Sequence, residues 1–177
     1  MKEYQFKTKD LLVISLLAAI GLALKPLVKT LTHLISTPLG IPGGTLGGGF
    51  SMMWLVLAAA FVPRFGSAAL AGLIQGLVVL ITGWFGSHGA ASLLTYTLPG
   101  LVIDLIALVY RRRNRIDGQI LYCVLANLVG TYLVGWMIMR LPKAPLYISL
   151  SMSIVSGAIG GVLAWLIYKQ LKAYKLL

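Results

Sequence analysis

Three basic side chains recur at helical spacing within the first apolar stretch of the sequence. Lys25, Lys29 and His33 are four residues apart, so a helix places all three on one face. An ionisable side chain in an apolar span either extends to the interface or serves an internal site, because burying it in lipid is costly. Both interpretations of Lys25 and Lys29 stay open, and the second predicts that this face meets a ligand.

A second set combines aromatic rings with a cation. Tyr132, Trp136 and Arg140 repeat at the same spacing, so two rings and a guanidinium could share one helix face. Such a face could stack on a flat ligand ring and bind its polar edge. Trp84 and Tyr147 have the sequence positions expected for the aromatic belt at a membrane interface.

Single polar residues interrupt three other apolar stretches. Gln75 and Asn127 lie near the middle of theirs, where amides usually link helices by hydrogen bonds, and Asn127 could also reach a ligand. Asp104 needs a partner at its depth. Arg111, Arg112 or a basic residue of another helix could supply it, which favours a structural or coupling role for Asp104.

Enzyme motifs are weak throughout the chain. Ser87 and His88 are adjacent, and adjacent residues in a loop rarely place a nucleophile and its base correctly. The glycine-rich stretch at 40–49 lacks the lysine and Ser/Thr that end a phosphate-binding loop. Histidines and carboxylates do not cluster at metal-ligand spacing. The sequence therefore predicts a protein that is not an enzyme, with no cofactor and no metal site.

Composition predicts the elements that must position these residues. Of the 177 residues 59% are hydrophobic and only 11% are charged, whereas soluble domains carry about 25% charged residues. The apolar residues recur in stretches long enough for membrane helices. We therefore predict an all-α membrane protein, with residues 1–177 forming a single domain that is a bundle of six transmembrane helices. The predicted spans are about 11–34, 50–62, 67–84, 91–110, 119–139 and 146–168.

The glycine-rich stretch before the second span argues against a helix there. Five glycines fall between Gly43 and Gly49, after Pro38 and Pro42. Irregular backbone cannot face lipid, so this stretch must lie outside the membrane or be buried in protein. The second span is short and could begin inside it.

Basic residues predict the orientation and the compartment. With both chain ends inside, eleven of the fifteen Lys and Arg residues lie on the inner side. The charge of +11 then indicates contact with the anionic inner leaflet of a prokaryotic cytoplasmic membrane, and no nucleic acid is expected. The outer half has no carboxylate, which favours an anionic or electron-rich ligand. Its basic residues are Lys25, Lys29, His33, His88, Arg140 and Lys143.

Three segments carry a resemblance to a known family. They are the small-residue motif Ala19-Ile20-Gly21-Leu22-Ala23, the turn at 58–70 and the run at 98–104 that ends in Asp104. With six short spans, the chain resembles the substrate-binding (S) components of energy-coupling factor (ECF) vitamin transporters. The thiamine and hydroxymethylpyrimidine branch is the most similar in appearance.

The resemblance implies a high-affinity binding subunit of an ABC importer for a vitamin or vitamin precursor. Its partners would be a membrane coupling (T) protein, docked on Ala19 and Ala23, and two ATPases. The pocket would lie at the outer ends of the helices, with the glycine stretch as its lid. Together with the basic face of the first span, the expected ligand-binding residues are Lys29, His33, Trp84, His88, Tyr96, Asn127, Trp136 and Arg140.

Two departures from the family pattern change which class of ligand is expected. The third span carries no carboxylate for a cationic amine, which leaves a neutral or anionic ring compound open. Met1-Lys2-Glu3 lacks the Met-His start of the nickel and cobalt branch, so metal transport is not expected. Two alternatives remain: a small self-sufficient transporter or channel, either monomeric or oligomeric, and an intramembrane hydrolase that uses Ser87.

Overall fold

The computed structural model describes residues 6–36, 44–83 and 89–174. Within these ranges the chain forms six α-helices and one π-helical segment. They are α1 (Thr8–Ser36), α2 (Gly44–Phe61), α3 (Ser67–Thr82), α4 (Ala91–Val109), α5 (Ile116–Tyr132), the π-helical segment (Leu133–Ile138) and α6 (Lys143–Ala173). This confirms the predicted all-helical architecture.

The helices have the length and surface of a membrane bundle. Four spans are long and apolar enough to cross a bilayer: Thr8–Thr32, Ala91–Val109, Ile116–Ile138 and Lys143–Ala173. The other two apolar helices, Gly47–Phe61 and Ser67–Thr82, are shorter. Large apolar side chains such as Leu12, Ile81 and Val109 are exposed on the bundle surface, as expected where lipid replaces water.

Helix α2 lies at the centre of the bundle and touches all five other α-helices. Every residue from Met53 to Ala60 is buried. A helix that is apolar all round must be covered on all sides, and α2 meets this condition with its three consecutive alanines, 58–60. The other helices surround it and define the interior in which polar side chains can meet.

The second span begins inside the glycine-rich stretch, because α2 starts at Gly44, and Gly47–Gly49 are helical against the expectation that the glycines prevent a helix there. A Cβ on Gly49 would overlap the carbonyl of Ser156 in α6, and one on Gly160 would overlap the carbonyl of Gly49. The Gly49 amide also donates to Ser156 Oγ at 3.0 Å. Gly49 and Gly160 therefore bring the backbones of α2 and α6 together. Residues 37–43 lie outside the described part of the chain.

The fifth span also differs from the continuous α-helix that its apolar run predicts. It changes to a π-helix after Tyr132, and π-helical turns interrupt α-helices at local insertions. Arg140 follows with a left-handed backbone, φ 47°. The Leu141 amide donates to the Gly135 carbonyl at 2.9 Å, which closes the turn into α6.

Asp104 is buried at the predicted cytoplasmic end and has different partners from those expected. Its carboxylate accepts the backbone amides of Ala69, at 2.9 Å, and Ala68, at 3.4 Å, in the first turn of α3. Arg112 instead binds Asp117 at 2.7 Å, and Arg111 donates to the carbonyl of Leu108. A helix N-terminus attracts an anion, which explains why backbone amides take the place of an arginine.

Arg113 completes this end of the bundle. Its guanidinium donates to the carbonyls of Ala59 at 3.3 Å and Arg64 at 3.1 Å, joining the α4–α5 loop to the end of α2 and the α2–α3 turn. Burial lowers the pKa of the Arg113 guanidinium, and the charge of Asp104 opposes that shift. Arg64 in turn pairs with Asp10 of α1 at 3.2 Å. The predicted structural role of Asp104 thus fits a network that reaches four helices.

Candidate functional site

Lys25 of α1 and Tyr96 of α4 meet inside the predicted outer half of the bundle. The Lys25 ammonium donates a hydrogen bond to the Tyr96 phenol oxygen, and Lys25 Nζ lies 3.9 Å from the ring centroid. No acidic residue in the described part of the chain pairs with Lys25. Lys25 therefore faces the interior, which decides a question that the sequence left open.

Small and apolar residues fix the position of Tyr96. Leu22 of α1 and Val79 of α3 pack with its side chain in a buried cluster. Gly72 of α3 lies so close to the backbone of α4 that a Cβ there would overlap the Tyr96 carbonyl. The small residues that the sequence places on α3 thus hold α4 near enough for Tyr96 to reach Lys25.

Two further polar groups lie one helical turn deeper along α1. A Cβ on Gly21 would lie 2.7 Å from Gln75 Nε2 and 2.9 Å from Trp54 Cγ. The Gln75 amide donates to the Ala18 carbonyl at 3.3 Å. The indole nitrogen of Trp54 is buried and has no hydrogen-bond partner in the described structure. Because Gly21 and Lys25 share a face of α1, these groups lie along one side of it. We define the polar column as Lys25, Tyr96, Gln75 and Trp54.

Asn127 occupies a second polar position, between α2, α5 and α6. Its Nδ2 donates to the carbonyl of Ser153 at 2.8 Å, and a Cβ on Gly48 would overlap its Oδ1. This is the interhelical bond expected for a mid-span amide. Ser149, one turn from Ser153, has a buried hydroxyl that lacks a hydrogen-bond partner among the described residues. A ligand-binding role for Asn127 stays a prediction.

The aromatic set at the predicted outer end consists of two rings that lie against each other at an exposed position. Trp136 is 57% exposed and Tyr132 is 45% exposed. Their ring centroids are 6.0 Å apart with planes 9° from parallel, so the two rings stack on each other. Each ring therefore covers one face of the other. The side chain of Arg140, four residues after Trp136 in the sequence, is also exposed.

The remaining candidates are only partly described. Lys29 is half-buried on α1, one turn beyond Lys25. His33 belongs to the same helix, but its side chain lies outside the described part of the chain, as do Trp84 and His88 entirely. Of the eight expected ligand-binding residues, the structure places Tyr96 in the polar column and Asn127 at a separate interface.

Sequence reasoning missed several residues with unsatisfied buried groups, among them Trp54 and Ser149. A signal for Trp54 was present, because it lies within an apolar span and not at an end, where the aromatic belt would explain it. Ser149 carried no comparable signal, since serines at this spacing recur along α6.

Helix α1 presents its small residues outward. Ala19 and Ala23 are exposed, together with Leu12, Leu16 and Leu27, while Ile14 and Ala18 on the other face are buried. This stripe is therefore open to a neighbour in the membrane. Docking of a partner on it stays a prediction.

Comparisons with known proteins identify the family. A family model described as "ABC-type cobalt transport system, permease component" matches residues 9–132. The chain belongs to this permease family. A comparison with curated protein sequences found no match.

A solved structure shows the same fold as this permease-family chain. It is described as the crystal structure of an S-component of an ECF transporter. The alignment has a TM-score of 0.79 at 19% sequence identity, and it covers 98% of this chain and 88% of that one. The described residues of this permease-family chain contain no group of three or more His, Cys, Asp or Glu side chains that could hold a metal ion.

Proposed function

We propose that this protein is the membrane-embedded binding subunit of an ECF-type ABC importer, in the cytoplasmic membrane of a prokaryote. The observation that carries the proposal is the S-component fold, which extends over 98% of the chain. The permease family and the inward-facing Lys25 and Tyr96 support it, because a costly intramembrane cation indicates a ligand site. Partner subunits, a T protein and two ATPases, supply ATP hydrolysis.

The proposed cargo is a vitamin or vitamin precursor with a small ring, taken up at the outer ends of the helices. Tyr96 and Lys25 form the partly buried polar contact of this site. Lys29 lies one turn further out on the same helix and extends the site toward the outer surface. The other proposed ligand-binding residues are His33, Trp84, His88, Asn127, Trp136 and Arg140.

Cobalt is a second candidate cargo, because the description of the family names cobalt transport. The two histidines, His33 and His88, are the natural ligands for such an ion. Their side chains lie outside the described part of the chain. Co²⁺ therefore belongs in the same binding experiment as the organic compounds.

The test is a tryptophan-fluorescence titration of the detergent-purified full chain. The titrants are water-soluble vitamins, their precursors and Co²⁺. The titration with Co²⁺ is done with and without a chelator. We expect a saturable signal at submicromolar concentration with one organic compound, since Trp54 lies in the polar column. Saturable binding of Co²⁺ alone would identify the metal as cargo. No response from the folded protein to any titrant would contradict the proposal.

A liposome experiment separates the proposal from a self-sufficient transporter. The bound compound is supplied outside liposomes that contain the chain alone, or the chain with its T protein and ATPases. We expect accumulation only in the second case and only with ATP inside. Accumulation by the chain alone would favour the self-sufficient transporter.

A further inference from the structure

We infer that the outer segment of α1, residues 26–32, is a gate beside the proposed binding site. The gate has its hinge at Pro26, and the hydrogen bond between Lys25 and Tyr96 is a latch that holds it closed. This inference rests on the proposed function and names the part of the chain that controls access to that site.

The first argument is the burial of side chains along α1. Five residues of its inner part are buried against the bundle, and the last of the five is Leu22. All residues from 23 to 32 are half-buried or exposed. A segment with few buried contacts opens at a lower free-energy cost than the rest of its helix. The end of burial therefore divides α1 into a fixed inner part and a loosely held outer segment. The buried residues are Ile14, Leu17, Ala18, Gly21 and Leu22.

The second argument is the backbone at the same position. Pro26 lies inside α1 and has no N–H, so it cannot donate to the carbonyl of Leu22. The Thr30 hydroxyl donates back to the Pro26 carbonyl at 3.0 Å. The Thr32 hydroxyl does the same to the Val28 carbonyl at 2.8 Å. Proline and such back-bonded threonines both cause helices to bend, so α1 bends most easily close to the point where its burial ends.

The third argument is the way the outer segment is held. The inner part of α1 packs on α2 and α3, whereas the Lys25 ammonium reaches across to Tyr96 of α4, at its hydroxyl and over its ring. Further out, a Cβ on Gly47 of α2 would lie 3.2 Å from Val28 Cγ1. Because Lys25 immediately precedes Pro26, its bond to α4 fixes the direction in which the outer segment leaves the hinge.

The gate forms one wall of the proposed site. Lys29 lies on the outer segment and Tyr96 lies on α4, and both are proposed ligand-binding residues. Movement of the outer segment away from α4 breaks the latch and separates these two side chains. The ligand therefore enters and leaves while the latch is open, and closure of the gate places Lys29 beside it.

Hydrogen exchange of the purified, ligand-free full chain tests the latch. Tyr96→Phe removes the hydroxyl group of the latch and keeps the ring that packs with Leu22 and Val79. We expect the backbone amides of residues 27–32 to exchange at least about fivefold faster in this variant, because the segment opens more often. Exchange at residues 14–22 should stay unchanged.

Two further variants complete the exchange experiment. Pro26→Ala restores a donor for the Leu22 carbonyl and should slow exchange at residues 27–32. Tyr132→Phe is the matched control for the latch variant, because it removes a phenol oxygen at an exposed position of α5. Its exchange along α1 should equal that of the wild type.

A reversible disulfide tests whether the gate controls access. Val28→Cys combined with Gly47→Cys places two thiols where the outer segment meets α2. The probes are thiamine, hydroxymethylpyrimidine and the other titrants of the fluorescence experiment, added before and after reduction. We expect association and dissociation of the bound probe both to be at least about tenfold slower in the oxidised protein, because both pass the same gate. Each single-cysteine variant, which retains the buried Cys123, should show no such difference.

The outcomes separate this inference from the proposed function. Unchanged exchange at residues 27–32 in Tyr96→Phe would overturn the latch, and unchanged exchange there in Pro26→Ala would overturn the hinge. Equal binding rates before and after reduction would overturn the gate and leave the capture subunit intact. Absence of binding of every probe to the reduced protein would contradict the proposed function and the control of access with it.

Discussion

The carboxylate of Asp104 in α4 accepts the backbone amide of Ala69 in α3 at 2.9 Å. A residue from one membrane helix thereby caps the N-terminus of another. Gly66, at the N-cap position of α3, has a left-handed backbone with φ 92° and no side chain that could do this. The bond explains how a buried carboxylate is tolerated at this depth, because two backbone amides solvate it.

Removal of this cap should lower stability. We expect Asp104→Ala to reduce the free energy of unfolding by about 1–2 kcal/mol, the usual cost of losing an N-cap side chain. Asp104→Asn keeps one oxygen acceptor and should lose less. Thermal unfolding of the purified variants in one detergent measures both effects. Equal stability of Asp104→Ala and the wild type would contradict the capping role.

Arg113 should be sensitive even to a conservative change. Its guanidinium spans the carbonyls of Ala59 and Arg64, and a lysine ammonium cannot reproduce that geometry. We expect Arg113→Lys to lower the free energy of unfolding by about 2 kcal/mol, in the range for hydrogen bonds to charged groups. Arg111→Lys is the matched control, because Arg111 is exposed in the same loop. Similar losses for both variants would mean that the contacts of Arg113 with these two carbonyls do not account for the effect.

The glycine contact between α2 and α6 predicts that a single added methyl group lowers the stability of the protein substantially. Gly49→Ala would place Cβ against the backbone carbonyl of Ser156, so the helices must separate, at a cost of about 1–3 kcal/mol or more. Gly130→Ala is the control. Its nearest neighbour, at 3.0 Å, is the terminal methyl group of Met52, which can move. Unfolding measurements should give Gly49→Ala a clearly lower free energy of unfolding than Gly130→Ala. The reverse order would refute this account of the interface.

The exposed stripe on α1 predicts that substitutions there abolish transport but leave ligand binding intact. Ala19→Trp or Ala23→Trp adds a bulky side chain to a surface that is exposed in the bundle. We expect ligand affinity to stay within about twofold of wild type while ATP-driven uptake is lost, since a tryptophan prevents close helix approach. Ile159→Trp, on the exposed face of α6, should retain uptake. Lost ligand binding in the alanine variants would contradict the docking assignment.

The residues of the candidate site show where prediction from sequence stops. Helical spacing placed Lys25 and Lys29 on one face, but the direction of that face relative to the bundle depends on which helices pack against α1. Tyr96 is 71 residues away from Lys25, and no local pattern connects the two. In the same way, the spacing of Tyr132 and Trp136 was correct for a shared face, yet their rings stack on each other at an exposed position.

By itself, the sequence determined the membrane class, the six helices and most of their limits, because apolar length and charge act locally along the chain. The tertiary structure decided the features that depend on contacts between segments distant in sequence. Gly47–Gly49 are helical because close contact with other helices outweighs the low helix propensity of glycine. Asp104 binds backbone amides because packing brings the start of α3 beside it. Lys25 faces inward because α3 and α4 close around Tyr96, a contact between distant segments that exists only in the folded bundle.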